Sequence, residues 1–308
     1  MPRPKICVVG SSNIDLITYT PRLPKLGETV EGSRFQIGFG GKGANQAAMA
    51  AKLGGAVTII TKVGDDNFGA DTRKNFVELS IDTTYVITTP DSFTGVAPIW
   101  VDEASGNNAI IVALGANNLL TPEDVENASV ALTTAQVVVC QWEIPTETVL
   151  AALRIAHEAG VTTIFNPAPA QGEIPSEFYP YIDILCPNES ETELLTGMAV
   201  GSVEDALAAA QNLLSRGPRT IILTLGERGS LLVTAEGSQH IPAPTVRALD
   251  TSGAGDAFVG SLAFYLAEGQ SLPDAMNRAN RIAAMSVQSP GTQRSFPSLA
   301  DLPADLLL

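Results

Sequence analysis

The sequence predicts an α/β protein built on a doubly wound, mostly parallel sheet with helices on both faces, accompanied by a small second β-sheet. Three observations carry this. Short, near-continuous Val/Ile/Leu runs recur, among them KICVVG (5–10), AQVVVCQ (135–141) and RTIILTLG (219–226). Such runs are strands covered by helices on both faces. They alternate with segments of helical apolar spacing, the pattern of βαβ crossovers. Two stretches, 15–37 and 94–113, break the rhythm: they hold strand-like runs and turn residues but no helix.

In order, KICVVG is the first strand and KGANQAAMAAKLGG (42–55) a small-residue helix closed by Gly54. VTIITKVG (57–64) is a strand and FGADTRKNFVEL (68–79) a helix. AQVVVCQ leads into the helix TETVLAALRIAHEAG (146–160), with Gly160 past its end. TTIFNPAP, DILCPNE and RTIILTLG continue the alternation. Right-handed crossovers place the strand C-termini along one edge, where ligands bind. The expected division is an α/β nucleotide- and substrate-binding core of 1–14, 38–93 and 114–308, with 15–37 and 94–113 pairing as a discontinuous β-sheet lid over that edge. The second lid segment reads as a hairpin around Glu103–Asn108. A sheet with no helix on one face is also a candidate dimer surface.

Composition narrows the function. The 308 residues are 45% hydrophobic and 17% charged, enough for a large core and against long disorder. A net charge of −15 argues against a nucleic-acid or anionic-membrane partner. A phosphorylated ligand then needs a local anion site, visible as glycines at a helix start. The three cysteines, Cys7, Cys140 and Cys186, are far apart and sit in or beside apolar runs. They read as reduced, buried thiols of a cytoplasmic protein. The N-terminus enters a strand with no signal-like segment, and no apolar stretch approaches membrane-spanning length. With only His157 and His240, a Ser-His-Asp triad or a His-rich metal site is nearly excluded. Acid–base chemistry falls to a carboxylate, Lys, Tyr or Cys.

The sharpest motif is LDTSGAGDAFVG (249–260). Gly253, Ala254 and Gly255 let backbone amides approach a phosphoryl group at a helix N-terminus, and Asp256 stands where it would take a proton from an attacking alcohol. Alone, such an Asp reads as a helix cap. GFGGKGANQ (38–46) fits G-x-G-x-x-G through Gly38, Gly40 and Gly43, but alone reads as a tight strand-to-helix turn. Lys42 and Asn45 beside bare glycine backbone suit a polyhydroxylated ligand. Asn13 and Asp15 alternate after the first strand and face one way, an amide and a carboxylate for sugar hydroxyls or an Asx turn. Glu143 is a further hydroxyl acceptor or a solvated acid. Asn188 and Glu191 share a helix face and would order a hydrated Mg²⁺, or simply make an acidic helix start. TLGERGS (224–230) joins two β-rich runs as a hairpin along which a nucleotide would lie.

GGKGANQ (40–46), NPAPA (166–170), PNESE (187–191), TLGERG (224–229) and DTSGAGD (250–256) occur together, with SSNID (11–15) and KVGDDNFG (62–69). In this order and spacing they resemble the ribokinase branch of the PfkB carbohydrate kinase family over essentially the whole chain. The resemblance implies ATP-dependent phosphorylation of D-ribose at its 5-hydroxyl, with Asp256 as catalytic base and Gly253, Ala254 and Gly255 as anion hole. It implies ribose contacts from Asn13, Asp15, Gly41, Lys42, Gly43, Asn45, Glu143 and Asp256. The ATP side would be Asn188, Thr224, Leu225, Gly226, Glu227, Arg228, Gly229, Gly255, Asp256 and Asn280. Asn188 and Glu191 match an element associated with Mg²⁺ through water. Asp250, Ser252, Ser286, Ser289, Gly291 and Ser295 match the positions of a K⁺ site, mostly through carbonyls. The exposed lid sheet, not the resemblance, is the ground for expecting a homodimer formed through the lid. The family often has Thr at Ser252 and Leu at Trp142, and the bulk of Trp142 beside Glu143 implies an altered sugar pocket. Asp256 is expected to be ionised, as a helix N-terminus favours the charged form. Rival substrates are deoxyribose, fructose or a nucleoside. From another class, the glycine pattern allows an NAD-dependent oxidoreductase, although no acidic residue ends the second strand in the right unit: Lys62 and Gly64 fall there.

Overall fold

The apolar runs and helical segments alternate in the computed structural model, which describes residues 3–104 and 108–307. The chain begins with β1 (Lys5–Val9), β2 (Asn13–Thr20), β3 (Arg34–Gly40), α1 (Lys42–Lys52), β4 (Ala56–Gly64), α2 (Asn67–Glu78) and β5 (Val86–Thr89). Next come β6 (Gly95–Asp102), β7 (Asn108–Ile110), α3 (Pro122–Asn127), α4 (Ser129–Thr134), β8 (Val137–Cys140), α5 (Thr146–Glu158), β9 (Thr162–Phe165) and β10 (Ile184–Leu185). The last third holds α6 (Glu189–Thr196), α7 (Val203–Leu214), β11 (Thr220–Thr224), β12 (Ser230–Thr234), β13 (Gly237–Ile241), α8 (Ala254–Ala267) and α9 (Leu272–Ser286).

Among the described residues, nine strands form one sheet in the order β13-β12-β11-β10-β9-β8-β1-β4-β5. It is parallel from β11 to β5; β12 alone runs against the others, and β13, antiparallel to β12, returns to the main direction. The predicted doubly wound sheet is therefore present. Its two faces follow from the alternation along a strand. On β1, Ile6 and Val8 join the core under α1, α8 and α9, while Cys7 and Val9 join the core under α3, α4, α5 and α7. Each fully buried side chain of this kind stabilises the fold by roughly 1.5–3 kcal/mol. The chain leaves β1 toward β4 on one side and β8 on the other. That reversal opens a crevice at the strand C-termini, between the loops after β1 and β8.

The second sheet has the order β3-β2-β6-β7. β2 pairs antiparallel with β3 and parallel with β6, and β6 with β7 forms the expected hairpin arms. Part of the predicted Glu103–Asn108 turn, 105–107, falls outside the described residues. The strands extend further than 15–37: β2 starts at Asn13 and β3 ends at Gly40, so the small sheet grows directly from the crevice.

Small residues let α1 and α8 cross at backbone contact. A Cβ at Gly260 would stand 2.5 Å from the Gln46 carbonyl oxygen and 2.8 Å from Met49 Cβ. A Cβ at Gly43 would stand 2.7 Å from the Gly10 carbonyl carbon, so α1 also touches the end of β1. These two approaches bring the first turns of α1 and α8 together over the crevice.

Candidate active site

The start of α8 leaves backbone amides open. Gly253 is its N-cap at φ 76°, left-handed backbone that favours glycine, and no side chain caps the helix. The Ala254 amide donates to the Thr251 carbonyl at 3.2 Å, so that member of the expected anion hole is partly engaged in a turn. The amides of Gly253, Gly255 and Asp256 have no partner among the described residues. A Cβ at Gly255 would project into open space. That space is a cavity of about 160 Å³, walled by Gly253–Asp256 and Thr251 on one side and by Lys42, Asn188, Glu191 and Thr224 on the other.

Asp256 is not a cap. Its carboxylate accepts from Asn45 Nδ2 at Oδ2 and from Gln46 Nε2 at Oδ1, both at 2.9 Å. It is buried, at 7% exposure. Burial pushes its pKa up, Lys42 and the two amides pull it down, and Glu143 adds to the rise. The net direction is upward. Desolvation, the largest of these effects, sets that direction.

A relay of amides fixes how Asp256 is held. Asn166 Nδ2 donates to the Cys186 carbonyl at 2.9 Å, so Asn166 Oδ1 faces Gln46 and accepts from its Nε2 at 3.1 Å. Gln46 Oε1 then points to Gln141, whose Nε2 donates at 2.6 Å. The far end, Gln141 Oε1, is buried without a partner among the described residues. The relay guarantees a donor toward Asp256 and leaves its unsatisfied atom at the opposite end.

Lys42 faces Asp256, Glu143 and Glu191. Burial lowers its pKa, but those three carboxylates more than offset it, so the ammonium is held charged. Lys42 lines the cavity together with Gly253, Ala254 and Gly255. Glu143 accepts from Ser11 Oγ at 2.5 Å and from the Lys42 amide at 3.0 Å. That second bond occupies the N-terminus of α1 and leaves no pyrophosphate site there, which removes the dinucleotide reading of Gly38, Gly40 and Gly43. Two of them serve close approach instead: a Cβ at Gly40 would stand 2.2 Å from Asp15 Oδ1, and one at Gly43 2.7 Å from the Gly10 carbonyl carbon; the neighbouring Gly41 is equally tight, 2.8 Å from the Asn13 amide nitrogen.

Asn13 and Asp15 do share a face of β2, beside Gly95 and Ala97 of β6. Asp15 is 7% exposed, and burial, with Glu143 and Asp256 adding, pushes its pKa up to about 7 against a hydrogen bond from Thr292. A carboxyl raised by folding stabilises the fold below its unfolded pKa near 4, and that contribution is lost as pH rises through about 7. Asp15→Asn is therefore expected to raise Tm at pH 8 while leaving it nearly unchanged at pH 4. A thermal melt showing equal shifts at both pH values would contradict this.

Other expected positions are more scattered. Asn45 has its amide engaged at both ends, donating to Asp256 and accepting from Gln293 Nε2 at 3.1 Å. Asn188 and Glu191 form a capping box on α6: Glu191 N–H donates to Asn188 Oδ1 at 2.8 Å and Asn188 N–H to Glu191 Oε2 at 2.9 Å. Glu191 Oε1 has no partner among the described residues. Burial moves the Glu191 pKa up, against the Asn188 bond and Lys42. Thr224 lines the cavity, but Leu225 is buried in the core, and Arg228 is paired with Glu189. Asn280 Nδ2 is tied to Ser230 Oγ and the Ile241 carbonyl, both at 3.0 Å. Asp250 accepts from the Ser252 amide at 2.9 Å and the Gly291 amide at 2.8 Å, joining the loops that carry Ser252 and Gly291. Ser286 and Ser295 turn their hydroxyls to the Ala283 and Thr292 carbonyls. Trp142 points away from the site. It is buried against Phe165 and donates to Thr146 Oγ1 at 3.0 Å. Its indole belongs to the core packed under α3, α4, α5 and α7, whereas the expectation placed its bulk in the sugar pocket.

The residues not singled out from sequence are Gln46, Gln141, Asn166, Asn117 and Thr292. Gln46 was in view, as the last letter of GGKGANQ, but nothing local distinguishes it from a surface Gln.

A family model described as pfkB family carbohydrate kinase matches residues 3–299. The chain is 46% identical over 305 residues to a mouse protein named ribokinase, covering 98% of this chain and 94% of that one. It is equally 46% identical, over 294 residues and 96% of both chains, to a Salmonella typhi protein named deoxyribokinase. Among solved structures it superposes on Arabidopsis thaliana ribokinase complexed with ribose and ATP at a TM-score of 0.90, with 31% identity and 99% coverage of both chains.

Proposed function

This chain belongs to the pfkB family of carbohydrate kinases, and from that premise we propose that it transfers the γ-phosphoryl group of ATP to the 5-hydroxyl of D-ribose, giving ribose 5-phosphate and ADP. The observation that carries the reading is the juxtaposition of a buried carboxylate, Asp256, with uncapped helix amides and the Lys42 ammonium around one cavity. Asp256 accepts the hydroxyl proton as the ribose oxygen bonds to phosphorus and the bond to the β-phosphate oxygen breaks. The amides of Gly253 and Gly255 and the Lys42 ammonium hold the charge that spreads over the phosphoryl oxygens. Asn13, Asp15 and Glu143 orient the sugar, and the strip Thr224–Gly229 supports the nucleotide.

Glu191, with one carboxylate oxygen free toward the cavity, and Asn188 fit a hydrated Mg²⁺. When bound, that ion supplies charge neutralisation to the nucleotide phosphates. The loops pinned by Asp250 fit a monovalent cation held by the carbonyls of Ser252, Ser286, Ser289, Gly291 and Ser295. Turnover is expected to be higher in K⁺ than in Na⁺. Equal rates in K⁺, in Na⁺ and with neither would reject that site.

The four-stranded sheet is proposed as a lid that excludes water from the phosphoryl group. It exposes Phe35, Ile37, Ile110, Ile111 and Val112, which supports its second role as the dimer surface. Three unpaired buried thiols support work in a reducing cytoplasm. The decisive assay couples ADP release to D-ribose with Mg²⁺ and K⁺, beside 2-deoxyribose, fructose and a nucleoside, and locates the phosphate on the product. Faster use of 2-deoxyribose would transfer the reading to the deoxyribose kinases of the same family.

A further inference from the structure

Amide oxygen and nitrogen are told apart by what surrounds them. Asn117, fully buried in the short turn of helix Gly115–Leu119, is surrounded by backbone groups of known polarity. Its Oδ1 accepts from the Ser12 amide at 2.8 Å. Its Nδ2 therefore faces the carbonyls of Leu114 at 2.8 Å and Ser12 at 3.2 Å. The third group at Nδ2, 2.8 Å away, is the side chain of Asn13, and only an acceptor fits there. Asn13 thus turns its Oδ1 to Asn117 and its NH₂ the other way. That NH₂ has no partner among the described residues.

Gly95 makes the bond possible. It pairs with Asn13 across β2 and β6, and a Cβ there would stand 2.1 Å from Asn13 Oδ1 and 2.4 Å from Asn117 Nδ2. Two positions along the same face of β2, Asp15 accepts and, when ionised, cannot donate. With Asp15 ionised, above its raised pKa of about 7, the strand presents a donor and an acceptor in a fixed order.

We propose that Asn117 is a positioning residue for sugar selectivity: it locks Asn13 as a hydrogen-bond donor, so that the pair Asn13 and Asp15 recognises a sugar hydroxyl oxygen and a neighbouring hydroxyl proton in one sense only. The proposal rests on the sugar-kinase reading. A deoxy sugar lacking the oxygen that faces Asn13 leaves a desolvated donor unpaired, and a site built to bond a hydroxyl discriminates strongly against its absence.

The test measures kcat and KM for D-ribose and its 1-, 2- and 3-deoxy analogues in the wild type, Asn117→Asp and Asn13→Asp, with KM for ATP and Tm alongside. Asn117→Asp keeps the acceptor for the Ser12 amide but has no donor for Asn13, so Asn13 is free to turn its oxygen to the sugar. The expected result is an increase in ribose KM of about tenfold with kcat and KM for ATP little changed, the signature of lost uniform binding. The wild type's discrimination against one deoxy analogue shrinks toward unity in the same variant. Asn13→Asp keeps the bond from Asn117 and replaces only the atom that faces the sugar, so it covers the case in which Asn117→Asp does not fold; it raises ribose KM likewise. A lower Tm with every kcat/KM reduced in proportion, and discrimination unchanged, would overturn the role of Asn117. Wild-type ribose affinity in Asn13→Asp would overturn the donor assignment. A wild type that phosphorylates ribose with either of those results sinks this inference alone. One that phosphorylates no pentose sinks the sugar-kinase reading beneath it and this inference together.

Discussion

Asp256→Ala is expected to bind ribose and ATP as the wild type does and to lose about 10²–10⁴-fold in kcat, the usual contribution of a general base. Among the described residues the carboxylate is hydrogen-bonded by Asn45 and Gln46 alone, so its removal leaves the amides of α8 and the Lys42 ammonium in place. The pH dependence follows from the same environment. Burial raises the Asp256 pKa, and a base works only when deprotonated, so kcat falls as pH drops through that raised value. Calorimetric titration of each substrate beside the coupled assay separates binding from chemistry. Near-normal turnover in Asp256→Ala would remove its assigned role.

The second large effect is at Lys42. Lys42→Met keeps most of the stem's packing and deletes the charge. The expected loss in kcat is about 10²–10³-fold, the scale of removing one preorganised group from a developing anion. A second readout is specific to this arrangement. Lys42 holds down the pKa values of both Asp256 and Glu191, so without it both rise and the acid limb of the rate profile moves to higher pH. A profile whose acid limb stays where it was would show that the ammonium does not face those carboxylates in the working enzyme.

Different parts of the molecule were legible to different degrees. The parallel sheet could be read because its strands are apolar on both faces and each is followed by a helix with its own stop signal, as at Gly54 and Gly160. The second sheet could be read because 15–37 and 94–113 offer strand residues with no helix to cover them. The glycines before Asp256 were conspicuous because bare backbone at a helix start has one evident use. Asn188 and Glu191 were ambiguous, since a capping box and a metal-ordering pair use the same residues at the same spacing, and the structure contains the box. Trp142 lies in a bend just after β8, where no strand alternation tells which way a side chain turns, and the fold takes the indole into the core.

Local pattern decided the order of strands and helices, and where glycine, acid and lysine stand along the chain, because those are encoded within a few residues of each other. What each side chain bonds to was decided by the tertiary structure. Gln46 reaches Asp256 across 210 residues of sequence, and Asn117 reaches Asn13 across 104. Both contacts exist because a glycine leaves room for them: Gly260 lets the backbones of α1 and α8 close together, and Gly95 leaves the space in which the Asn13 and Asn117 side chains meet. An amide's orientation carries no trace in its own neighbourhood in sequence, since it is set by whichever carbonyl the fold brings beside it.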